Sequence, residues 1–199
     1  MGDMMEKNIK TYYRFLLLSL ILVILDQFSK IYIKGFNFFG LNHQGMSLGE
    51  SHSFIGDLIS ITFVENPGMA FGIEFGIFKI LLTLFSLFAS VLLIIYLKRI
   101  YQNSNYINLG IIFILAGALG NWVDRMFYGV FYNESPLFYG KVVDFIQVDI
   151  PDIDFMGLYY THWPVFNFAD SYVWIGVCLL ILFHKQLPDI KDVFLKKKD

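Results

Sequence analysis

The stretch FNFADSYVWIGVCLLILF, residues 166–183, places a carboxylate at the start of a long apolar run. After Asp170 the run carries no charged residue, and no lysine or arginine lies within a dozen positions of Asp170 on either side. An apolar run approaching ~20 residues predicts a membrane-spanning helix. An ionisable group at the edge of hydrocarbon is costly and usually marks function. The stretch therefore predicts a membrane span and raises the question of why a carboxylate stands at its start.

The composition supports a membrane protein and gives no sign of a nucleic-acid partner. Of the 199 residues, 56% are hydrophobic, and the 22 Phe and 12 Tyr suit the aromatic belts of membrane interfaces. The net charge is −2, and no basic patch indicates nucleic-acid binding. Cys178 is the single cysteine and the four histidines are scattered, so neither a disulfide framework nor a zinc site is expected.

Apolar stretches predict four membrane spans, at about 15–33, 77–96, 107–123 and 168–183. Basic residues cluster before the first stretch, after the second and after the fourth. Because cytoplasmic segments carry an excess of lysine and arginine, both termini are expected inside. The loops at about 34–76 and 124–167 are then external.

Each external loop contains a predicted strand. LISITFVEN, residues 58–66, and GKVVDFIQVDI, residues 140–150, are rich in β-branched and aromatic residues. Two such strands on the same side of the membrane can form a small sheet, although the sequence leaves their pairing open. The predicted fold class is an integral membrane protein, mainly α, with a small external sheet.

This topology brings the conspicuous polar residues to one level, the outer membrane surface. Asp26 lies ~17 Å along the first span from residue 15, in the outer half of the membrane. The third span ends and the fourth begins on that same side. The residues collected there are Asp26, Asn66, Asn121, Asp124, Arg125, Asp144, Asn167 and Asp170. Polar groups at this depth usually face a cavity or one another and mark function.

Several of these residues also have a purely structural interpretation. Asp26 and Lys30 are four residues apart and can form an ion pair on one helix face. Asp124 and Arg125 can be interfacial residues at a helix end, and Asp170 can be favoured at a helix N-terminus by the macrodipole. The acidic segment DIPDID, residues 149–154, lacks the glycine and the late glutamate of a calcium loop, so a solvated loop is expected there.

Five motifs, in order along the chain, carry a family resemblance. They are DQFSK at 26–30, ENPGMAFG at 65–72, GALGNWVDR at 117–125, VVDF at 142–145 and FNFAD at 166–170. Together they closely resemble the lipoprotein signal peptidase family, the type II (prolipoprotein) signal peptidases of bacteria. The resemblance covers essentially the whole chain, 1–199, as a single membrane-embedded peptidase domain. It implies four transmembrane helices with a small extracytoplasmic β-cradle, located in the bacterial inner membrane with the site near its outer face.

The resemblance also implies an activity. Family members are aspartic endopeptidases that remove the signal peptide from diacylglyceryl-modified prolipoproteins by cleavage before the lipidated cysteine. By motif, Asp144 and Asp170 are the expected catalytic pair. Residues expected to line, brace or support the site are Asn66, Gly68, Asn121, Arg125, Asn167, Asp26 and Asp124. The implied partners are prolipoprotein substrates and membrane lipids, the protein is expected to be monomeric, and neither a metal nor a cofactor is implied.

Two features depart from the family pattern. Pro67 stands between Asn66 and Gly68, where a small hydroxyl residue is usual, and proline has no backbone N–H to offer. Asp170 follows Asp144 by 26 residues, which is longer than expected and predicts an enlarged external loop.

Two carboxylates held close together are expected to share one proton, because both cannot ionise cheaply. The ionised partner then takes a proton from the water that attacks the scissile carbonyl, and the protonated partner polarises that carbonyl. The alternative function is a proton-coupled transporter, since intramembrane carboxylates also form proton relays. The inner halves of the predicted spans are almost purely apolar, which disfavours a relay.

Overall fold

A computed structural model describes residues 2–38, 40–68, 76–155, 158–189 and 193 of the chain. Its helices are α1 (Gly2–Lys34), α2 (Gly76–Ile100), α3 (Asn105–Val123), α4 (Gly129–Phe131) and α5 (Phe168–Leu182), with a π-helix at Asp124–Tyr128 and a 3-10 turn at His184–Gln186. Its strands are β1 (Phe36–Phe38), β2 (Leu41–His43), β3 (Ser51–Ile55), β4 (Ile59–Asn66), β5 (Val142–Phe155) and β6 (Leu158–His162).

In the described part of the chain, three helical segments are long and apolar enough to cross a membrane: Ile9–Lys34, Lys79–Ile100 and Asn105–Phe131. They correspond to the first three predicted spans. The fourth predicted span is also helical, but α5 has only 15 residues. At 1.5 Å per residue that is about 22 Å, against ~30 Å of hydrocarbon. A fourth crossing therefore stays a prediction.

The region from residue 124, predicted as an external loop, begins with the π-helix and α4, so helical structure continues beyond α3 to Phe131. One prediction within this region needs correction. The acidic segment 149–154, expected to be a solvated loop, lies within β5 and pairs with β6. The register shifts between Asp149 and Ile153, and this irregularity accommodates Pro151, which cannot donate a hydrogen bond to a neighbouring strand.

The first of two compact units comprises Met1–Ile24, Leu84–Trp122 and Ala169–Asp199. Its core is formed by buried aliphatic side chains from α2 and α3, namely Leu97, Ile100, Ile107, Ile111, Ile112 and Leu115. Other large apolar side chains on α2 are exposed, including Phe85 at 66% and Phe88 at 60%. Extended apolar faces of this kind suit contact with lipid.

Small residues bring α3 and α5 into close contact. A Cβ added to Gly117 would lie 2.2 Å from the carbonyl oxygen of Ala169. Further along, a Cβ added to Gly176 would lie 2.6 Å from the carbonyl oxygen of Gly110. Close approach through small residues is a common way for helices to pack in membranes. The contact holds the first turn of α5, which carries Asp170, against α3.

The second unit, Leu25–Thr83 and Val123–Phe168, contains the six strands described above. Four of them form an antiparallel sheet in the order β3-β4-β5-β6, and β1 pairs with β2 in a separate hairpin. Both predicted strands are confirmed, as β4 and as the first part of β5. The pairing that the sequence left open is β4 against β5, with Val64 opposite Asp144.

Gly117→Ala is expected to destabilise the protein, although a Gly-to-Ala change in an exposed helix usually stabilises it by about 1 kcal/mol. The added methyl group would overlap the Ala169 carbonyl, and overpacking of a tight contact costs about 1–3 kcal/mol. Thermal unfolding of the purified protein in detergent measures the effect. Ala118→Val, which adds more volume at the less buried neighbouring position, is the control. A Tm at or above wild type for Gly117→Ala would contradict the close contact.

Candidate active site

Asp144 is buried in β5, and asparagine amides donate to both of its carboxylate oxygens. The residue is 3% exposed. Asn167 Nδ2 lies 2.6 Å from Asp144 Oδ1, and Asn66 Nδ2 lies 3.2 Å from Asp144 Oδ2. Asn66 is within reach because β4, which ends at Asn66, pairs directly with β5. Amide donors of this kind stabilise an ionised carboxylate without placing a countercharge beside it.

The turn after β4 fixes the orientation of the Asn66 amide. Gly68 has a φ of +77°, a left-handed conformation that glycine adopts readily. Its N–H donates to Asn66 Oδ1 at 2.9 Å. Because the side-chain oxygen is engaged, the amide nitrogen is presented to Asp144. None of these bonds uses the backbone nitrogen of Pro67, and residues 69–75 of the adjoining motif lie outside the described residues.

The segment before α5 docks on the edge of β5. The Phe166 N–H donates to the Ile146 carbonyl at 3.0 Å, and the Ile146 N–H donates to the Phe166 carbonyl at 2.7 Å. Asn167 Nδ2 lies 3.3 Å from the carbonyl oxygen of Val143 as well as 2.6 Å from Asp144. One fully buried amide therefore holds both the backbone of β5 and the carboxylate.

Asp170 lies in the first turn of α5 and is half-buried. Asn121 Nδ2 donates to Asp170 Oδ1 at 2.7 Å. Asn121 lies near the end of α3, and the contact of Gly117 with Ala169 brings the two helices together at this level. A carboxylate in the first turn of a helix is also stabilised by the positive end of the helix dipole. The helix-terminal position considered from the sequence is thus correct, and it coexists with an asparagine partner.

A fully buried ion cluster lies in the same unit as Asp144. Lys30 Nζ is 2.9 Å from Asp26 Oδ2 and 2.9 Å from Asp124 Oδ2, and the side chains of all three are 0% exposed. Gln27 Nε2 donates to Asp124 Oδ1 at 2.8 Å, and the Tyr128 hydroxyl donates to Gln27 Oε1 at 3.0 Å. The Asp26–Lys30 pair considered from the sequence is present, but the lysine also binds a carboxylate from a distant part of the chain.

Arg125 lies in the π-helix, and its backbone carbonyl accepts the N–H of Gly140 at 3.0 Å. A Cβ added to Gly140 would lie 2.1 Å from the Asp124 carbonyl oxygen. The segment that leads into β5 therefore packs tightly against the π-helix. Short π-helical turns are frequent at functional sites. A role for the Arg125 side chain at the site stays a prediction.

A second ion cluster, centred on Glu65, was missed in the sequence. Lys34 Nζ contacts Glu65 Oε1 and lies 2.6 Å from Glu134 Oε1, while Lys141 Nζ lies 2.6 Å from Glu65 Oε2. Burial opposes ionisation of Glu65, but its bonds to Lys141 and Lys34 outweigh burial and lower the pKa of its carboxyl. The position of Glu65 immediately before Asn66 was the available signal.

The structure groups the predicted residues into hydrogen-bonded sets. Asn66, Gly68 and Asn167 surround Asp144; Asn121 binds Asp170; Asp26 and Asp124 share Lys30. The aspartates of the VVDF and FNFAD motifs thus each accept a hydrogen bond from asparagine. The asparagine side chain is uncharged and can both donate and accept hydrogen bonds.

Comparisons with known proteins find one family throughout. The family model for signal peptidase (SPase) II matches residues 18–185. A lipoprotein signal peptidase of Pelodictyon phaeoclathratiforme is 35% identical over 176 residues, covering 87% of this chain and 90% of the relative. A lipoprotein signal peptidase of Borrelia hermsii is also 35% identical, over 182 residues, covering 89% of this chain and 88% of the relative.

Two solved structures of bacterial membrane enzymes have a fold similar to that of this chain. A bacterial membrane enzyme solved by the in meso method at 2.3 Å resolution aligns with a TM-score of 0.64 at 28% identity, covering 94% of this chain and 93% of the other. A second bacterial membrane enzyme, solved by the same method at 1.9 Å resolution, aligns with a TM-score of 0.66 at 30% identity, covering 88% of this chain and 94% of the other.

Lys30→Met is expected to destabilise the protein strongly. It would leave Asp26 and Asp124 facing each other without a cation, and removing one partner of a buried ion pair costs about 3–5 kcal/mol. Lys141→Met is the control, because its side chain is 41% exposed and Glu65 keeps Lys34 as a cation partner when Lys141 is removed, so a smaller loss of stability is expected. Chemical unfolding in detergent compares the two. Equal stability of the two variants would show that Lys30 is not needed to balance the carboxylates.

Glu65 is expected to make folding stability fall in acid. Its pKa is lower in the folded protein than its ordinary value of 4.5. The stabilisation from its ion pairs is therefore present above that value and is lost as the pH falls through the folded pKa. Glu65→Gln should flatten the dependence of Tm on pH below the ordinary value of 4.5, relative to wild type and to Asp57→Asn, which removes an exposed carboxylate in the β3–β4 turn. Parallel Tm curves for Glu65→Gln and wild type would refute this linkage.

Proposed function

The chain belongs to the signal peptidase II family, and from that premise we propose that Asp144 and Asp170 are its two catalytic carboxylates. The protein is a membrane-embedded peptidase that cleaves signal peptides from prolipoproteins. The transporter hypothesis receives no support, since the relatives reported above are peptidases. The observation that carries the catalytic assignment is the asparagine partner held by each aspartate.

The environment of Asp144 suits a carboxylate that changes protonation state during a reaction. Asn66 and Asn167 orient both of its oxygens, yet neither brings a positive charge that would hold the group permanently ionised. Asp124, by contrast, binds a lysine ammonium at 2.9 Å, which suits a carboxylate of fixed charge. This difference favours Asp144 over Asp124 as a reacting group.

Asp170 is the proposed second member of the pair. It lies in the first turn of α5, and Asn121 fixes the direction of one of its oxygens. With one proton between two carboxylates, the ionised partner activates a water by removing its proton. The protonated partner polarises the scissile carbonyl, and a proton is delivered to the leaving amine as the peptide bond breaks. The released peptide is the signal segment.

The proposed substrate is a prolipoprotein whose cysteine already carries a diacylglyceryl group, cut on the amino side of that cysteine. We further propose four membrane crossings, cytoplasmic termini, a site near the outer face with the sheet as an external cradle, and a monomeric enzyme. The 15 residues of α5 are short for a crossing, but a short helix is tolerated when the bilayer thins or flanking residues snorkel. The basic residues that flank the helices support the orientation.

Asp144→Asn and Asp170→Asn are each expected to abolish cleavage while leaving the protein inserted and folded. Each change removes a group that must gain or lose a proton, and the amide keeps the shape of the side chain. The assay follows release of the signal peptide from a purified diacylglyceryl-modified precursor in lipid. Asp149→Asn, which alters an exposed carboxylate on the same strand, is the matched control and should retain wild-type activity. Near-normal processing by either of the first two variants would overturn the catalytic assignment.

A further inference from the structure

We propose that Asp124 is a positioning residue for Asp144, which it holds in place through the backbone of Val143. The inference rests on the proposed function, in which Asp144 is a catalytic carboxylate. It extends that function by giving a role to a five-residue network, distinct from the asparagines that touch Asp144, that lies in the same unit. The network comprises Asp26, Gln27, Lys30, Asp124 and Tyr128.

The link between network and strand is one hydrogen bond. The N–H of Val143 donates to Asp124 Oδ2 at 3.2 Å. The carbonyl of Val143 accepts from Asn167 Nδ2 at 3.3 Å. In an antiparallel strand the N–H and C=O of one residue point to the same edge, so Val143 turns both groups away from β4. Asp124 and Asn167 therefore replace a neighbouring strand at the residue immediately before Asp144.

Asp124 is itself held rigidly. Its Oδ2 receives the Lys30 ammonium at 2.9 Å, and its Oδ1 receives the Gln27 amide at 2.8 Å. Lys30 is fixed in turn by Asp26 on the same helix at 2.9 Å. Because Asp26, Lys30 and Asp124 are fully buried, water cannot substitute for a lost partner among them, and each bond constrains the next. The carboxylate that binds Val143 therefore has little freedom to move.

The expected effect on catalysis follows because Val143 precedes Asp144 directly in the chain. Val143 and Asp144 are adjacent, so a shift of the Val143 backbone carries the Asp144 carboxylate with it. Proximity effects are steep, and a displacement of about 1 Å at a reacting group can cost ~100-fold in rate. Weakening the Asp124 bond should therefore lower kcat, while the surfaces that bind the precursor and its lipid stay in place.

The test compares Asp124→Asn and Asp124→Ala with wild type in the precursor-cleavage assay. Asp124→Ala removes the acceptor and should lower kcat by roughly 100-fold with KM nearly unchanged. Asp124→Asn keeps an oxygen that can accept the Val143 N–H but loses the charge-assisted bonds, so kcat should fall by about 10-fold, a partial rescue. Glu134→Gln is the matched control, because it removes a carboxylate bound to a lysine at an exposed position outside the network. It should keep wild-type kcat.

Hydrogen exchange at the Val143 amide tests whether the Asp124 bond holds this backbone, and the kcat-against-KM split and the partial rescue by Asp124→Asn separate positioning from a merely structural role. In folded Asp124→Ala, exchange at Val143 should accelerate at least tenfold, while exchange in β3 stays at the wild-type rate. A wild-type kcat per folded molecule, or a loss of activity that follows the unfolded fraction with unchanged Val143 exchange, would overturn the positioning role.

The outcomes separate this inference from the proposed function. If wild type cleaves the precursor and Asp144→Asn does not, the catalytic assignment stands, and the Asp124 variants decide the positioning role alone. If Asp144→Asn remains active, the catalytic assignment fails, whatever the Asp124 variants do.

Discussion

A lysine ammonium with no access to water must be balanced by carboxylates, and this constraint organises the unit that contains Asp144. Lys30 is 0% exposed and binds Asp26 on its own helix and Asp124 at the start of the π-helix. Desolvating three charges is costly, so the cluster is retained only where geometry and additional hydrogen bonds compensate. The same cluster joins α1 to the segment after α3 and extends to the backbone of β5.

Four carboxylates among the described residues differ in whether a lysine or an asparagine binds them, and the difference follows their proposed roles. Asp124 and Glu65 are bound to lysine and connect segments that are distant in the chain. Asp144 and Asp170 have asparagine partners. An amide fixes the direction of an oxygen but changes the free energy of protonation less than a full charge does. The two aspartates proposed to exchange protons are thus aligned by neutral partners.

The sequence predicted the elements better than their connections. Apolar runs and β-branched stretches identified the helices and the strands at 58–66 and 140–150, because these signals are local. The pair of Asp26 with Lys30 was also predictable, since residues four apart share a helix face. Contacts between distant segments depend on tertiary packing, and so the register of β4 on β5, the bond of Lys30 to Asp124 and the cluster around Glu65 were found only in the structure.

The proline that follows Asn66 has a chemical consequence for the lifetime of the protein. Asparagine ages by deamidation, in which the backbone nitrogen of the next residue loses its proton and attacks the side-chain carbonyl to close a succinimide ring. The nitrogen of Pro67 carries no proton to lose, so this route is closed at Asn66. Asn66 Nδ2 donates to Asp144 Oδ2 at 3.2 Å. Conversion of Asn66 to aspartate would replace this donor with a second carboxylate beside Asp144. The Asn-Pro step therefore removes the succinimide route by which the neutral partner of Asp144 would become an aspartate.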